Sequence, residues 1–155
     1  MNTEPASKTE ILSASACWAK LRSSAVGRLA TCATGKPDIL PINFVVDHDT
    51  IVFRTAGGLK LTAATAGADV ALEADGYEPE TGRAWSVVVK GSAHLITRSY
   101  DLIETAELPL IPWHPEAKGH FVRILVTQVS GRAFRVVDRA RWDTPVSGTP
   151  HAAVE

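Results

Sequence analysis

Two basic side chains and a hydroxyl group flank a pair of glycines near the middle of the chain. The run FRTAGGLKL holds them: Arg54, Thr55, Gly57, Gly58, Lys60 and Leu61. The glycines open a short segment with helical spacing, and the first turn of a helix presents backbone N–H donors and a partial positive charge. Arginine adds a fork of donors and lysine a point charge, so the pattern predicts a phosphate-binding site. The alternative is an ordinary strand-to-helix turn with solvated basic residues, and the GxxxxGK[ST] pattern of a P-loop is absent.

A proline stands inside the apolar run that precedes this turn. The segment PINF comprises Pro41, Ile42, Asn43 and Phe44. Proline cannot donate a hydrogen bond to a ladder, which favours a strand edge or a bulge at this point. Backbone groups at such an edge are available to a ligand, and the amide of Asn43 adds a further donor and acceptor. The alternative is a bulged edge strand in which Asn43 satisfies its neighbours.

The elements that must position these residues follow from hydrophobic periodicity. Helical spacing predicts three helices: 11–24, with Ser13 or Ser15 as its cap, 59–66 and 100–108. Turns rich in glycine, proline and aspartate separate six predicted strands: 26–33, 39–46, 51–55, 69–75, 83–97 and 120–134. Hairpin connections require antiparallel pairing. The predicted fold class is therefore mainly β with short helices, a six-stranded antiparallel barrel that leaves few exposed edges.

The chain as a whole is typical of one small globular domain. Its 155 residues are 45% hydrophobic and 21% charged, with a formal net charge of −1. We expect one domain over 11–138 with flexible ends at 1–10 and 139–155. The absence of a basic block argues against nucleic-acid binding. No apolar run reaches the ~18–20 residues of a membrane span and no apolar signal segment opens the sequence, so a cytoplasmic location is expected. Histidine and cysteine spacings match no metal site.

The order of the motifs along the chain resembles a known family. The motifs are GRLAT (27–31), GKPDILPINFVV (35–46), IVFRTAGGLKL (51–61), WSVVVKG (85–91), PLIPWHP (109–115) and HFVRI (120–124). Their order and spacing resemble the pyridoxamine 5′-phosphate oxidase-like FMN-binding split barrels, in particular the actinobacterial branch, which is similar to the nitroimidazole-resistance proteins. The resemblance covers about residues 11–134. It implies a homodimer with FMN, or in some relatives a deazaflavin, held in two clefts at the dimer interface.

The resemblance also implies roles for particular residues. The glycine turn would hold the flavin phosphate, and the PINF segment would run alongside the flavin ring. Arg28 would lie near the ring as a positive charge, with an exposed arginine on a core-packing strand as the alternative. Trp85 and Ser86 would lie near the cleft, where Trp85 either walls it or fills the dimer core.

Two further residues stand in the proline-rich loop. Trp113 would cover the flavin and shape the substrate pocket. His114 is the one histidine that we consider for proton transfer, although an exposed loop histidine is the more ordinary interpretation. No catalytic residue is assigned from the sequence.

The function implied is that of an FMN-dependent oxidoreductase acting on a small electron-poor or aromatic compound, such as a nitroaromatic or a quinone. The cofactor would carry the hydride chemistry, which fits the absence of an evident acid–base pair. The alternative is a non-catalytic split barrel that binds a flavin, a deazaflavin or haem. The family's arginine- and histidine-bearing substrate segment does not map onto the C-terminal run GRAFRVVDRARWD, so oxidation of vitamin B6 is not expected.

Overall fold

A computed structural model describes residues 8–97 and 119–136. The elements in chain order are β1 (Glu10–Ile11), α1 (Ala14–Arg22), β2 (Val26–Thr31), β3 (Asp38–Asp47), β4 (Thr50–Thr55), α2 (Leu59–Thr65), β5 (Asp69–Glu78), β6 (Arg83–Leu95) and β7 (His120–Arg135). The strands lie in the order β1-β7-β4-β3-β2-β5-β6, all neighbours are antiparallel, and a further β6–β7 pairing closes the barrel. The predicted six-stranded antiparallel barrel is confirmed, with β1 as a short addition to β7.

The core fills the inside of this barrel because alternate residues of each strand point inward. Leu29, Leu72 and Val89 are in register across β2, β5 and β6, and none of the three is exposed. Burial of each such side chain contributes roughly 1.5–3 kcal/mol relative to exposure. The same alternation places the intervening residues of each strand on the outer face of the barrel.

A bulge shapes the longest strand pair. The register between β6 and β7 shifts between Lys90 and Gly91, where Thr127 is the extra residue and donates from its hydroxyl to the Lys90 carbonyl at 3.2 Å. Gly91 approaches β7 so closely that a Cβ there would lie 2.1 Å from the Leu125 carbonyl oxygen. A glycine is therefore required at this crossing.

Helix α1 begins three residues later than the sequence pattern predicts. Glu10 and Ile11 are extended as β1, because they pair with Ala133 and Arg132 of β7. Ser13 then caps the helix by accepting a hydrogen bond from the Ala16 N–H at 3.1 Å, as one of the two predicted caps.

Strand β5 is longer than predicted, since residues 76–78 of the expected loop pair with β6 instead. The predicted helix 100–108, Trp113, His114 and the predicted C-terminal tail 139–155 lie outside the described residues. Within the described part of the chain, no helix has the length and apolar character that crossing a membrane requires.

Candidate cofactor-binding cleft

Strands β3 and β4 separate part-way along their length. They pair from Asp47↔Thr50 to Phe44↔Phe53, and the ladder ends there. Residues 38–43 of β3 continue to pair with β2, whereas Arg54 and Thr55 continue to pair with β7. Among the described residues, the edges of β3 and β4 that face each other beyond Phe44 have no strand between them. The result is a cleft in the barrel wall, bounded by β3 on one side and by the end of β4 and the turn into α2 on the other.

The PINF segment forms the β3 side of this cleft, as a continuous strand without a bulge. Ile42 and Phe44 point into the core and are 3% and 4% exposed. Pro41 and Asn43 point the other way, with Pro41 exposed and Asn43 half-buried. Phe44 donates its backbone N–H to the Ala25 carbonyl at 3.1 Å, and the antiparallel alternation directs the backbone groups of Ile42 to Gly27 of β2 in the same way. The backbone groups that face the cleft are therefore those of Pro41 and Asn43, and Asn43 can also offer its side-chain amide.

Arg54 and Thr55 form the β4 side. The Arg54 guanidinium lies 4.9 Å from the centre of the Phe121 ring, its direct partner on β7, so that a cation–π contact orients it. Thr55 is buried, and its hydroxyl donates to the Gly57 carbonyl at 3.0 Å and accepts from the Gly57 N–H at 3.3 Å. The Thr55 hydroxyl thus stabilises the glycine turn itself. The sequence had suggested this hydroxyl as a phosphate contact.

The two glycines make the turn between β4 and α2. Gly58 is the N-cap of α2 with φ 75° and ψ −152°, a conformation that other residues rarely adopt. A Cβ at either Gly57 or Gly58 would meet nothing within 4 Å, so the space beside the turn is open. Lys60 and Leu61 follow in the first turn of α2, both half-buried. The donor set that borders this open space is cationic, as a phosphate requires.

Arg28 lies on the outer face of β2, directly opposite Pro41. Its Nε donates to Glu73 Oε2 at 3.1 Å, and its terminal nitrogen lies 2.6 Å from Asp75 Oδ2 and 2.9 Å from Glu73 Oε2. The hydrogen bond with Asp75 is the first cause that raises the pKa of Arg28. Burial, and then the hydrogen bond with Asp75, raises the pKa of Glu73, while the same bond lowers the pKa of Asp75. Arg28 is therefore part of an ionic cluster with two carboxylates, which the sequence analysis did not foresee.

Trp85 and Ser86 point to opposite faces of β6. Trp85 is 9% exposed and packs inward beside α1, where Lys20 Nζ lies 5.4 Å from the centre of its ring. Ser86 is half-buried on the outer face, opposite Asp75. The structure thus brings Ser86 and Arg28 to one outer surface and leaves Trp85 in the core.

That outer surface also carries apolar side chains. Alternation places on it, across β2, β3, β5 and β6, the side chains of Val26, Ala30, Ile39, Pro41, Ala71 and Val88. Ile39 is 72% exposed, and the cluster of Arg28 with Glu73 lies among these residues. Exposed apolar side chains beside a polar cluster are a feature of interaction sites.

Known proteins share this architecture. The family described as pyridoxamine 5′-phosphate oxidase matches residues 13–133. The chain belongs to this family. The resemblance inferred from the motifs is thereby confirmed, and the cleft can be compared with those of relatives.

Solved structures of the family superpose over most of the chain. An FAD-binding protein from Mycobacterium smegmatis is 42% identical, with 81% of this chain and 98% of that chain covered and a TM-score of 0.69. A protein described as a putative pyridoxamine 5′-phosphate oxidase from Corynebacterium glutamicum is 32% identical, with coverages of 84% and 96% and a TM-score of 0.72. A putative 5-nitroimidazole antibiotic resistance protein from Bacteroides thetaiotaomicron is 13% identical, with coverages of 84% and 90% and a TM-score of 0.67, and shares the fold.

Three contributors to this region were missed in the sequence. Phe121 stands in the motif HFVRI, yet its contact with Arg54 depends on the β4–β7 register. Glu73 and Asp75 alternate on β5 in the run LEAD, and the two-residue spacing signalled a shared face. The spacing did not predict Arg28 as their partner, because that contact depends on the register between β2 and β5.

Proposed function

We propose that the chain binds a flavin nucleotide in the cleft between β3 and β4 and acts as a flavin-dependent oxidoreductase. The observation that carries this proposal is the end of the β3–β4 ladder at Phe44 and Phe53, with cationic residues on one side and an open strand edge on the other. Membership of the pyridoxamine 5′-phosphate oxidase family and the 42% identical FAD-binding protein support a flavin as the occupant.

The phosphate nearest the ribityl chain would bind at the glycine turn. Arg54 is oriented by Phe121, and Lys60 stands in the first turn of α2. Because α2 has only seven residues, its dipole is small and the two side-chain charges carry the argument. Gly57 and Gly58 leave room for the backbone to approach the phosphate.

The flavin ring would lie along the open edge of β3. The carbonyl of Pro41 and the backbone N–H and carbonyl of Asn43 face this edge and can hydrogen-bond to the polar edge of the ring, and Asn43 can add its side-chain amide. Ile42 and Phe44 hold the strand in place from the core side, where both are buried. FMN, as the sequence suggests, FAD and a deazaflavin share a phosphate and a three-ring system, so the cleft chemistry fits all three.

A homodimer would complete the site. The apolar outer surface around Ile39 is adjacent to the cleft, because Pro41 and Asn43 belong to the same strand. Pairing of two copies through this surface would cover its apolar side chains and bring Ser86 of one copy toward the cleft of the other. Because Arg28 is already paired with Glu73 and Asp75, it would lie in the dimer interface and would not contact the flavin ring.

A flavin, when bound, supplies hydride transfer, and the protein binds it, orients it and limits the access of water. The substrate class that we propose is a small, flat, electron-poor compound such as a nitroaromatic or a quinone, which can stack on the exposed ring face. The non-catalytic alternative, a protein that stores or carries the flavin, keeps the same cleft and dimer.

The test has two stages. The purified full chain is titrated with FMN, FAD and a deazaflavin while cofactor fluorescence and polarisation are followed. The complex is then reduced anaerobically with NADPH or a reduced deazaflavin and afterwards mixed with a nitroaromatic or a quinone, whereas pyridoxamine 5′-phosphate, which is an electron donor, is added to the oxidised complex.

Saturable binding followed by reduction and by re-oxidation with the nitroaromatic or the quinone supports the proposal. Binding without turnover of any acceptor supports the non-catalytic alternative. If none of the three cofactors binds, the proposed function is wrong.

A further inference from the structure

A second concave site lies between α1 and the β5–β6 hairpin. It is a cavity of about 330 Å³, and the residues that line it come from β1, α1, β5, β6, β7 and the link between β1 and α1. No residue that borders the β3–β4 cleft is among them. Its volume is near the lower end of the roughly 300–1,000 Å³ typical of small-molecule pockets, which limits the occupant to about one ring with short substituents.

The floor of the cavity is the small exposed part of an indole, since Trp85 is 9% exposed and Lys20 Nζ lies 5.4 Å from the centre of its ring. Trp85 is held in place by Gly76 on the neighbouring strand, since a Cβ at that position would lie 2.7 Å from the indole Nε1. Leu12, Ala84 and Ala133 supply the apolar walls. An aromatic floor with aliphatic walls favours a flat apolar group.

Four charged side chains, two of each sign, form the rim. Lys20 pairs with Glu78, and Arg83 pairs with Glu10. The hydrogen bonds that Lys20 and Thr81 donate lower the pKa of Glu78, and the charge of Arg83 acts in the same direction. The rim therefore has no net charge, but it presents two cationic and two anionic groups around an aromatic floor.

These four side chains are partly exposed, from 29% for Lys20 to 57% for Glu10, so they can change partners at little cost. A ligand with one charge would take one rim group and leave that group's former partner without a counter-ion. A ligand with both an ammonium and a carboxylate can bind one group of each sign and preserve the overall balance.

We propose that this cavity binds a small aromatic zwitterion of the size of an aromatic α-amino acid, with its ring against Trp85, its carboxylate at Arg83 and its ammonium at Glu10. This site does not depend on the flavin cleft. It gives a binding role to the charged rim residues, which have no role in the proposed function.

The experiment compares phenylalanine with phenylalaninamide and N-acetylphenylalanine, each of which lacks one of the two charges. Binding to the full chain is measured by calorimetry. Phenylalanine has no indole, so tryptophan fluorescence of the protein gives a second reading, and a Trp85→Phe variant identifies the responding residue among four tryptophans. Phenylalanine is expected to bind at least about tenfold more tightly than either analogue, a difference of about 1.4 kcal/mol.

Two variants separate recognition from a merely structural ion-pair network. Arg83→Gln should abolish the preference for phenylalanine over its amide, and Glu10→Gln should reduce the preference over the N-acetyl compound. Arg132→Gln is the matched control, because Arg132 is an exposed arginine that does not line the cavity.

Equal binding of the three compounds, no binding of phenylalanine at millimolar concentration, or unchanged preferences in Arg83→Gln would overturn the proposal. If Arg83→Gln does not fold, as judged by circular dichroism, the comparison of the three compounds on the unaltered chain still decides it.

Discussion

Phe44 and Phe53 face each other as the last cross-strand pair between β3 and β4, and the two strands separate directly beyond them. Both rings point into the core, where Phe53 has no exposed surface and Phe44 is 4% exposed. This aromatic pair is the closed end of the cleft. The same two side chains stabilise the core and fix the point at which the open edge of β3, the proposed flavin site, begins.

Replacing Phe53 with alanine should therefore be costly. Phe53→Ala removes a fully buried ring and is expected to lower the free energy of unfolding by about 3–5 kcal/mol. Phe53→Leu keeps most of the volume and should cost less than about 2 kcal/mol. Urea unfolding of the three proteins checks both values, and an equal cost for the two variants would contradict the packing described here.

Gly91 gives a sharper test of the bulge. Gly91→Ala would place a Cβ against the backbone carbonyl of Leu125, which cannot rotate away, so a loss of about 1–3 kcal/mol or more is expected. Gly119→Ala is the control, since a Cβ there meets nothing within 4 Å. Thermal unfolding should show a lowered Tm for the first variant and little change for the second. Similar melting curves would show that Gly91 does not lie as close to the Leu125 carbonyl as the structure describes.

The pair of Asp47 and Arg123 should give stability a defined pH dependence. Arg123 donates to Asp47 Oδ2 at 2.8 Å and to Thr50 Oγ1 at 2.6 Å, and both charged side chains are 24% exposed. The hydrogen bond from Arg123 is the largest cause that lowers the pKa of Asp47 from its ordinary value of 3.8. A lowered folded-state pKa means that this stabilisation is present above pH 3.8 and is lost as the pH falls through the folded-state value.

Asp47→Asn should lower the free energy of unfolding by about 1–3 kcal/mol at pH 7, the range for a hydrogen bond to a charged group. The difference between the two proteins should shrink as the pH falls below 3.8. Urea unfolding at pH 7, 4 and 2.5 measures this difference in the free energy of unfolding well above, near and below the ordinary pKa of 3.8. A difference that is constant with pH would show that the pair contributes no linked proton.

Lys60 should contribute directly to flavin affinity. Lys60→Ala is expected to weaken binding by roughly 1–3 kcal/mol, because a charged donor to the phosphate is lost. Lys36→Ala is the matched control, since Lys36 is exposed in the turn between β2 and β3 and lies outside the cleft. Fluorescence titration with FMN gives both dissociation constants, and an unchanged constant for Lys60→Ala removes this residue from the site.

Ile39 should report on the proposed dimer. Ile39→Asp places a charge on the apolar outer surface and is expected to shift the protein toward monomer and to weaken flavin binding at the same time. Ile11→Asp is the control, because Ile11 is 83% exposed on β1, away from that surface. Analytical ultracentrifugation separates the outcomes: a dimer that survives Ile39→Asp but not Ile11→Asp would place the interface elsewhere.

Much of the fold was predictable from local patterns. Alternating apolar residues, with Leu29 among them, mark strands, and the turn residues between the strands require antiparallel neighbours. The glycine turn from β4 into a short helix was also predicted from its local run, and the structure contains it. These features depend on neighbours in sequence, and the sequence displays them. That this turn and the PINF segment serve one flavin site was implied by the family resemblance.

The partners of individual side chains were decided by tertiary structure alone. Arg28 was expected near the flavin ring, and the register between β2 and β5 also pairs it with Glu73 and Asp75, which no local pattern predicted. Trp85 was expected either to wall the cleft or to fill the dimer core, and strand alternation turns its indole inward to pack beside α1. Cross-strand contacts depend on register and on barrel closure, which are set by packing of the whole core and not by any local pattern.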